Sequence, residues 1–144
     1  MSKLTRFSGL LFATALAAQG PVCTFTPFGR PCGGDLAGQQ IRTPTGNAAV
    51  QFDVTNAAPG SAAILVLGQL LGTPVTLPGS NCSLLVNPRA TSFVQVDRLG
   101  EASFALRLPV AARGLAIEVQ VVTLALNRNG RTAESTNGIH LSCN

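Results

Sequence analysis

The sequence predicts an all-β protein: an antiparallel β-sandwich, Ig-like or jelly-roll-like, that is stapled by disulfides. Short apolar or alternating segments recur, separated by turn residues at intervals of roughly eight to twelve residues. No convincing 3.6-residue period occurs after the first 17 residues, and the four cysteines form an even set. A competing α+β fold would place a helix over Val110 to Leu126, but the Ile, Val and Thr density there favours strand.

The composition indicates one domain with a weakly charged surface. Of 144 residues, 46% are apolar and only 11% are charged, against about 25% charged in ordinary soluble domains. The formal net charge is +4, and it falls to +2 without Lys3 and Arg6. The remaining cations are scattered, and the chain has no Trp and no Tyr. Nucleic-acid binding is therefore not expected, because it needs clustered cations and usually aromatic stacking platforms.

Residues 1–17 are predicted to be a secretory signal peptide. Two cations precede the apolar run Phe7 to Ala17, which ends in the small-x-small pattern Ala15-Leu16-Ala17. The run is shorter than the roughly 20 residues that span a bilayer, so no transmembrane anchor is expected. A buried N-terminal helix or strand is the alternative. The leader predicts a secreted, extracellular protein.

The next segment, residues 18–46, is predicted to be an irregular Gly/Pro-rich arm, with residues 47–144 forming the sandwich. Gln39 to Thr43 is a short first strand within the arm. Ala48 to Gly68 then contains two apolar strands around a Pro59-Gly60 turn, and we expect them to form the core hairpin.

Proline marks the following segments. Thr73 to Leu77 and Ser83 to Val86 are bracketed by Pro74, Pro78 and Pro88, which confines them to the edges or ends of a sheet.

Ser92 to Val96 and Ala102 to Leu108 both alternate around the turn residues Asp97 to Gly100, which predicts a hairpin. Leu115 to Leu126 changes its apolar face midway, which suggests either a β-bulge or a strand that enters a more buried region. The Asn129-Gly130 pair predicts a turn, after which Thr132 to Ser142 closes the domain.

The cysteines Cys23, Cys32, Cys82 and Cys143 are expected to form two disulfides, because they follow an export signal. Three pairings are possible. We favour Cys32 with Cys82, and Cys23 with Cys143, since the second pair would tie the two ends of the domain. No Cys-x-x-Cys pair exists and His140 is the sole histidine, so no zinc site is expected.

No catalytic, cofactor or metal site is predicted. His140 lies between Ile139 and Leu141, so alternation places it on the outer face of its strand, where a lone histidine is most often an ordinary surface group. Asp97 and Glu101 flank a turn, where acidic residues commonly serve turn chemistry. Asp35 could meet Asp97 around calcium, but no acidic run with calcium-loop spacing exists.

Three further motifs do not support a functional site. Gly33-Gly34 lacks the Gly-Lys-Ser/Thr of a phosphate loop, and Gly79 to Asn81 lacks the second glycine of a nucleophile elbow. Asn81-Cys82-Ser83 is formally a glycosylation sequon, but its middle residue is a cysteine expected to be in a disulfide.

Several motifs together resemble a domain that recurs, often at the C-terminal end, in secreted proteins of environmental bacteria. They are FGRPCGGDLAG, NAAPGSAAILVLG, NCSLLVNP, LGEASFALRLP, GLAIEVQVVTL and TNGI, which cover about residues 28–139. The resemblance implies an Ig-like or jelly-roll-like sandwich, secretion and no established enzymatic activity. It also supports pairing of Cys32 with Cys82, with Cys23 and Cys143 as an addition. This chain departs in carrying the module almost alone.

Two functions from different classes follow. The preferred one is a non-enzymatic structural protein that assembles with itself, through sheet edges or its N-terminal arm, into an extracellular filament, sheath or surface layer. The alternative is an adhesion module or a binding module for carbohydrate or a cell surface. Sugar binding commonly uses Trp or Tyr faces, which this chain lacks.

Overall fold

The computed structural model describes residues 20–43 and 48–144, so the predicted leader lies outside the described residues. Eight strands and one short 3-10 helix, η1 (Val110–Ala112), make up the described chain. The strands are β1 (Cys23–Phe28), β2 (Asp35–Arg42), β3 (Ala48–Thr55), β4 (Ala62–Thr76), β5 (Ser83–Gln95), β6 (Ala102–Leu108), β7 (Leu115–Asn127) and β8 (Gly130–Cys143).

The strands form two antiparallel sheets that pack together, which confirms the predicted β-sandwich. One sheet has the order β1-β8-β7-β4-β5, and the other has the order β2-β3-β6. The core lies between them, because the alternating apolar residues of each sheet turn toward the other. Its fully buried members include Val50, Phe52, Leu65, Val119, Val121 and Leu141.

Both favoured disulfides are present. Cys23–Cys143 joins the start of β1 to the end of β8, and Cys32–Cys82 joins the β1–β2 loop to the β4–β5 loop. Two disulfides are typical of a protein that folds in an oxidising environment.

The prediction of an irregular N-terminal arm is wrong for residues 23–28 and 35–42, which are edge strands of the two sheets. The predicted strand at Gln39 to Thr43 overlaps only the end of β2. Long-range packing makes these strands. The Phe25 ring lies edge-on to Phe52, with ring centroids 6.0 Å apart, and Gly38 leaves room for that ring where a β-carbon would overlap it.

Two predicted hairpins are also wrong. β3 and β4 lie in different sheets, and so do β5 and β6. The Pro59-Gly60 and Asp97 to Gly100 turns exist, but each carries the chain across the sandwich. Alternation along a strand buries one face in either arrangement, so it does not reveal whether the next strand pairs beside it or packs opposite it.

The proline-flanked segments lie at an end and at an edge of the sheet, as predicted. Thr73 to Leu77 covers the end of β4, and Ser83 to Val86 begins the edge strand β5; the two belong largely to one long β4–β5 hairpin. The pairing shifts register between Leu67 and Gly68, and again between Leu70 and Val75.

The change of apolar face in β7 is not a bulge in that strand, which pairs with β4 without a register shift. It marks the half of β7 that is buried on both faces, with Val121 in the inner core and Val122 in a second cluster on the outer face. The pairing with β8 does shift between Gln120 and Val122, but the extra residue lies on β8. The β7–β8 turn is confirmed, with Gly130 at a φ of 120°. The alternative helix over residues 110–126 does not form, because η1 ends at Ala112 and β7 takes most of the remainder.

Candidate functional site

Edge strands are the places where this sandwich could bind another chain, because an edge leaves backbone N–H and C=O groups unpaired. The described chain has four of them: β1 and β5 bound the five-stranded sheet, and β2 and β6 bound the three-stranded sheet. Side-chain amides bond to some of this exposed backbone.

A glutamine caps β1. The Oε1 atom of Gln40 accepts the backbone N–H of Cys23 at 2.9 Å, and its Nε2 atom donates to the carbonyl of Pro21 at 2.7 Å. Gln40 lies on β2, so one amide bonds to two backbone groups at the start of β1 and connects the two sheets.

An asparagine caps β2 in the same way. The Oδ1 atom of Asn137, on β8, accepts the N–H of Leu36 at 2.9 Å, and its Nδ2 atom donates to the Leu36 carbonyl at 3.1 Å. Asn137 is buried, so these bonds are shielded from water.

A second glutamine caps the first part of β5. The Oε1 atom of Gln120 accepts the N–H of Leu85 at 2.8 Å, and its Nε2 atom donates to the carbonyls of Ser83 (3.1 Å) and Thr136 (3.0 Å). Ser135 also donates to Ser83 O at 2.9 Å. The tip of the β4–β5 hairpin therefore folds back over the outer face of β7 and β8, where Cys32–Cys82 holds it.

The rest of β5, residues 87–95, has no such cap, and we call it the open edge. Val96 donates its N–H to Ser61 O (2.9 Å) and accepts the Gly60 N–H (3.1 Å), so its backbone groups point toward β4. Because an antiparallel ladder alternates, the groups of Thr91, Phe93 and Gln95 point to the free side. Within residues 20–43 and 48–144, no side chain bonds to them.

The open edge carries little to discourage pairing. Natural edges are commonly blunted by charges, proline or bulges. Pro88 and Arg89 lie at its start, where Arg89 is the extra residue of a register shift opposite Leu67 and Gly68. From Ala90 to Gln95 the strand has no charge and no proline, and the Phe93 side chain is 80% exposed.

An apolar strip continues from Phe93 across the outer face of the five-stranded sheet. Phe93 pairs with Ile64 of β4, which pairs with Val122 of β7. Farther along the same face of β7 lie Leu124 and Leu126, with exposures of 41% and 82%. The hairpin tip covers the neighbouring part of this face but leaves these positions in solvent.

The remaining edge, β6, is a weaker candidate. It is only seven residues long and carries Arg107 near its end. None of the large apolar side chains that the described structure exposes lies on β6.

The residues considered at first for chemistry take structural roles. His140 Nδ1 lies 2.8 Å from Glu118 Oε1 on the outer face, as alternation predicted. Asp97 Oδ1 accepts the N–H groups of Leu99 (2.8 Å) and Glu101 (2.9 Å), which is turn chemistry. Asp35 accepts the Asn56 amide at 2.8 Å. In the described part of the chain, no group of three or more His, Cys, Asp or Glu side chains could hold a metal ion.

One polar row on the three-stranded sheet was not anticipated. The Asp53 carboxylate accepts hydrogen bonds from Gln39 (3.2 Å), Gln51 (2.7 Å) and the Ser103 hydroxyl. Three donors of the protein itself thus occupy this carboxylate.

A shallow depression lies at the end of the sandwich beside the open edge. Its lining residues are Pro59, Gly60, Gln95, Val96, Asp97 and Arg98. They include no nucleophile paired with a base, so the depression offers no constellation for covalent or acid–base catalysis.

Sequence reasoning missed Gln40, Gln120, Asn137 and Phe93. A signal existed for Gln120, which is a lone polar residue within an apolar run and is fully buried. The other three depend on which strands become edges.

Comparison of the chain with protein-family models, with curated proteins and with solved structures found no match. Among the described residues, no helix is long and apolar enough to cross a membrane.

Proposed function

We propose that this protein is a secreted, non-enzymatic structural protein whose copies associate through the open edge, residues 87–95, into an extracellular filament, sheath or surface layer. The observation that carries the proposal is the contrast between edges. Amides of Gln40, Asn137 and Gln120 bond to backbone groups near the starts of β1, β2 and β5, whereas the open edge presents unpaired groups beside an exposed Phe93.

Strand addition is the interaction that such an edge favours. An added strand pairs with the free backbone groups, and side chains on the same face bury apolar area against it. The low charged fraction of 11% keeps repulsion between copies small. The disulfides and the resemblance to a recurrent secreted domain support an extracellular location.

The proposed contact does not use the N-terminal arm. Its residues 23–28 and 35–42 already pair within the protein's own sheets, so donating them to another copy would break these pairings and the caps by Gln40 and Asn137.

The test is assembly of the chain from residue 18 onward, purified with its disulfides intact. We expect sedimentation velocity to show larger species as protein concentration rises, and negative-stain electron microscopy to show regular polymers or sheets. A protein that stays monomeric at every concentration, with no ordered structure on the grid, would contradict the proposal.

The alternative, an adhesion or carbohydrate-binding module, is favoured by one observation. The row of exposed and half-buried residues Gln39, Gln51, Asp53 and Ser103 offers the polar groups that bind sugar hydroxyls. Retention of the monomer on a polysaccharide resin, lost in Gln51→Leu but kept in Phe93→Lys, would support it.

A further inference from the structure

We infer that two copies of this chain pair through their open edges as an isologous antiparallel dimer whose two-fold axis passes between Phe93 and the second copy's Phe93. This inference rests on the proposed self-assembly and specifies its first contact. Pairing would join two five-stranded sheets into one continuous sheet of ten strands.

The backbone restricts the possible registers. The free N–H and C=O groups belong to Thr91, Phe93 and Gln95, because those of the alternate residues are directed to β4. A symmetric antiparallel pair must therefore match odd-numbered residues with odd-numbered residues. Registers centred on Thr91, Ser92, Phe93 or Val94 all do so, but only the register centred on Phe93 matches Thr91, Phe93 and Gln95 entirely with one another.

Side-chain complementarity selects the register centred on Phe93. It places the two Phe93 rings opposite each other, and each Thr91 opposite a Gln95, so the most exposed apolar side chain of the edge is buried against its own copy. The register centred on Thr91 instead places Phe93 opposite Arg89.

Within the described chain, the open edge is accessible to a second copy. Residues 87–93 and Gln95 are exposed, and the apolar strip through Ile64 to Leu124 lies on the same face as Phe93. The register shift at Arg89 bends the strand away at its start, so pairing is confined to the uncharged stretch that follows.

The experiment measures the dimer dissociation constant by sedimentation equilibrium for the disulfide-intact chain from residue 18. Phe93→Lys and Phe93→Glu should each raise the constant by about a hundredfold or more, because each dimer loses two apolar side chains and gains two like charges face to face. An equimolar mixture of the two variants should restore association, since Lys then lies opposite Glu.

Two further variants act as controls. Leu126→Lys changes a side chain of equal exposure on the same sheet but far from the β5 edge, and it should leave the constant unchanged. Thr91→Lys faces Gln95 in the proposed register and should change it by less than about threefold, whereas in the register centred on Thr91 two lysines would face each other. Thermal unfolding of each variant shows that it is folded.

The outcomes separate this inference from the proposed function. Assembly that Phe93→Lys leaves intact, or a Lys–Glu mixture that fails to associate, would overturn the Phe93-centred dimer while self-assembly stands. A wild-type chain that never associates overturns both.

Discussion

At the scale of single residues, side-chain amides satisfy backbone groups at the edges of both sheets. Gln120 is the clearest case, because its side chain bonds to backbone groups of Ser83, Leu85 and Thr136 and is fully buried. An amide carries both a donor and an acceptor, so it can replace the missing strand at an edge. Gln40 and Asn137 act in the same way on β1 and β2.

Replacing Gln120 with Leu should lower the free energy of unfolding by roughly 2–5 kcal/mol, since the buried N–H of Leu85 loses its partner. Urea denaturation with the disulfides intact measures this change. Gln69→Leu, at an exposed position of the neighbouring strand β4, is the matched control and should stay within about 0.5 kcal/mol of wild type. Equal effects at the two sites would refute a capping role for Gln120.

Close packing also depends on single glycines. A β-carbon at Gly138 would overlap the ring of Phe28, whereas one at Gly72 would meet nothing within 4 Å. Gly138→Ala should therefore destabilise the protein by about 1–3 kcal/mol and Gly72→Ala should not. Phe28→Leu should recover part of the loss in the Gly138→Ala background, and a double-mutant cycle would measure this coupling. If the two substitutions changed the free energy of unfolding additively, the Phe28 ring would not be what excludes a β-carbon at Gly138.

At the scale of elements, the folded-back hairpin tip of β4 and β5 is the most distinctive unit. It covers a second apolar cluster on the outer face of the five-stranded sheet, formed by Val66, Val86, Val122 and Ala133. The Ser80 hydroxyl and the Pro78 carbonyl bond to the backbone of Ala133, and Cys32–Cys82 fastens the tip to the β1–β2 loop. The tip thus covers one part of this outer face, and the open edge borders the part that stays uncovered.

Replacing Cys32 and Cys82 together with Ser should release the tip before the sandwich unfolds. The two cysteines are 50 residues apart, and without the disulfide the unfolded chain gains conformational entropy. The free energy of unfolding should therefore fall by up to roughly 4 kcal/mol. Hydrogen exchange should accelerate at Leu85 while the β3 core keeps its protection. In the control, Cys23→Ser with Cys143→Ser, faster exchange should instead appear along β1. Uniform acceleration in both variants would show that the tip is not a separate unit.

At the scale of the whole molecule, the two sides of the sandwich differ. On the side of β1 and β2, the edges are capped by amides and tied by Cys23–Cys143. On the side of β5 and β6, residues 87–95 are left free, and the outer face beside them is apolar. An isologous contact at this edge closes as a dimer, so growth into a filament or layer needs a second contact.

The sequence by itself determined the fold class, the burial of both faces in the second half of β7 and the pairing of the cysteines in disulfides. Each of these depends on local patterns: alternation in strands, a change of apolar face between Val121 and Val122, and an even cysteine count. The edge position of the proline-flanked strand β5 followed as well, because proline cannot donate to a ladder.

Only the tertiary structure decided which strands pair and which edges remain free. β3 with β4, and β5 with β6, were expected to be hairpins, but they lie in opposite sheets. The residues of the supposed arm, Cys23–Phe28 and Asp35–Arg42, are strands because Phe25, Gln40 and Asn137 find partners distant in sequence. The candidate site depends on the strand order as well. Phe93 is available to another chain only because no strand of the described chain pairs with the free side of β5. A period of two records which face of a strand is buried, but not what lies beside the strand.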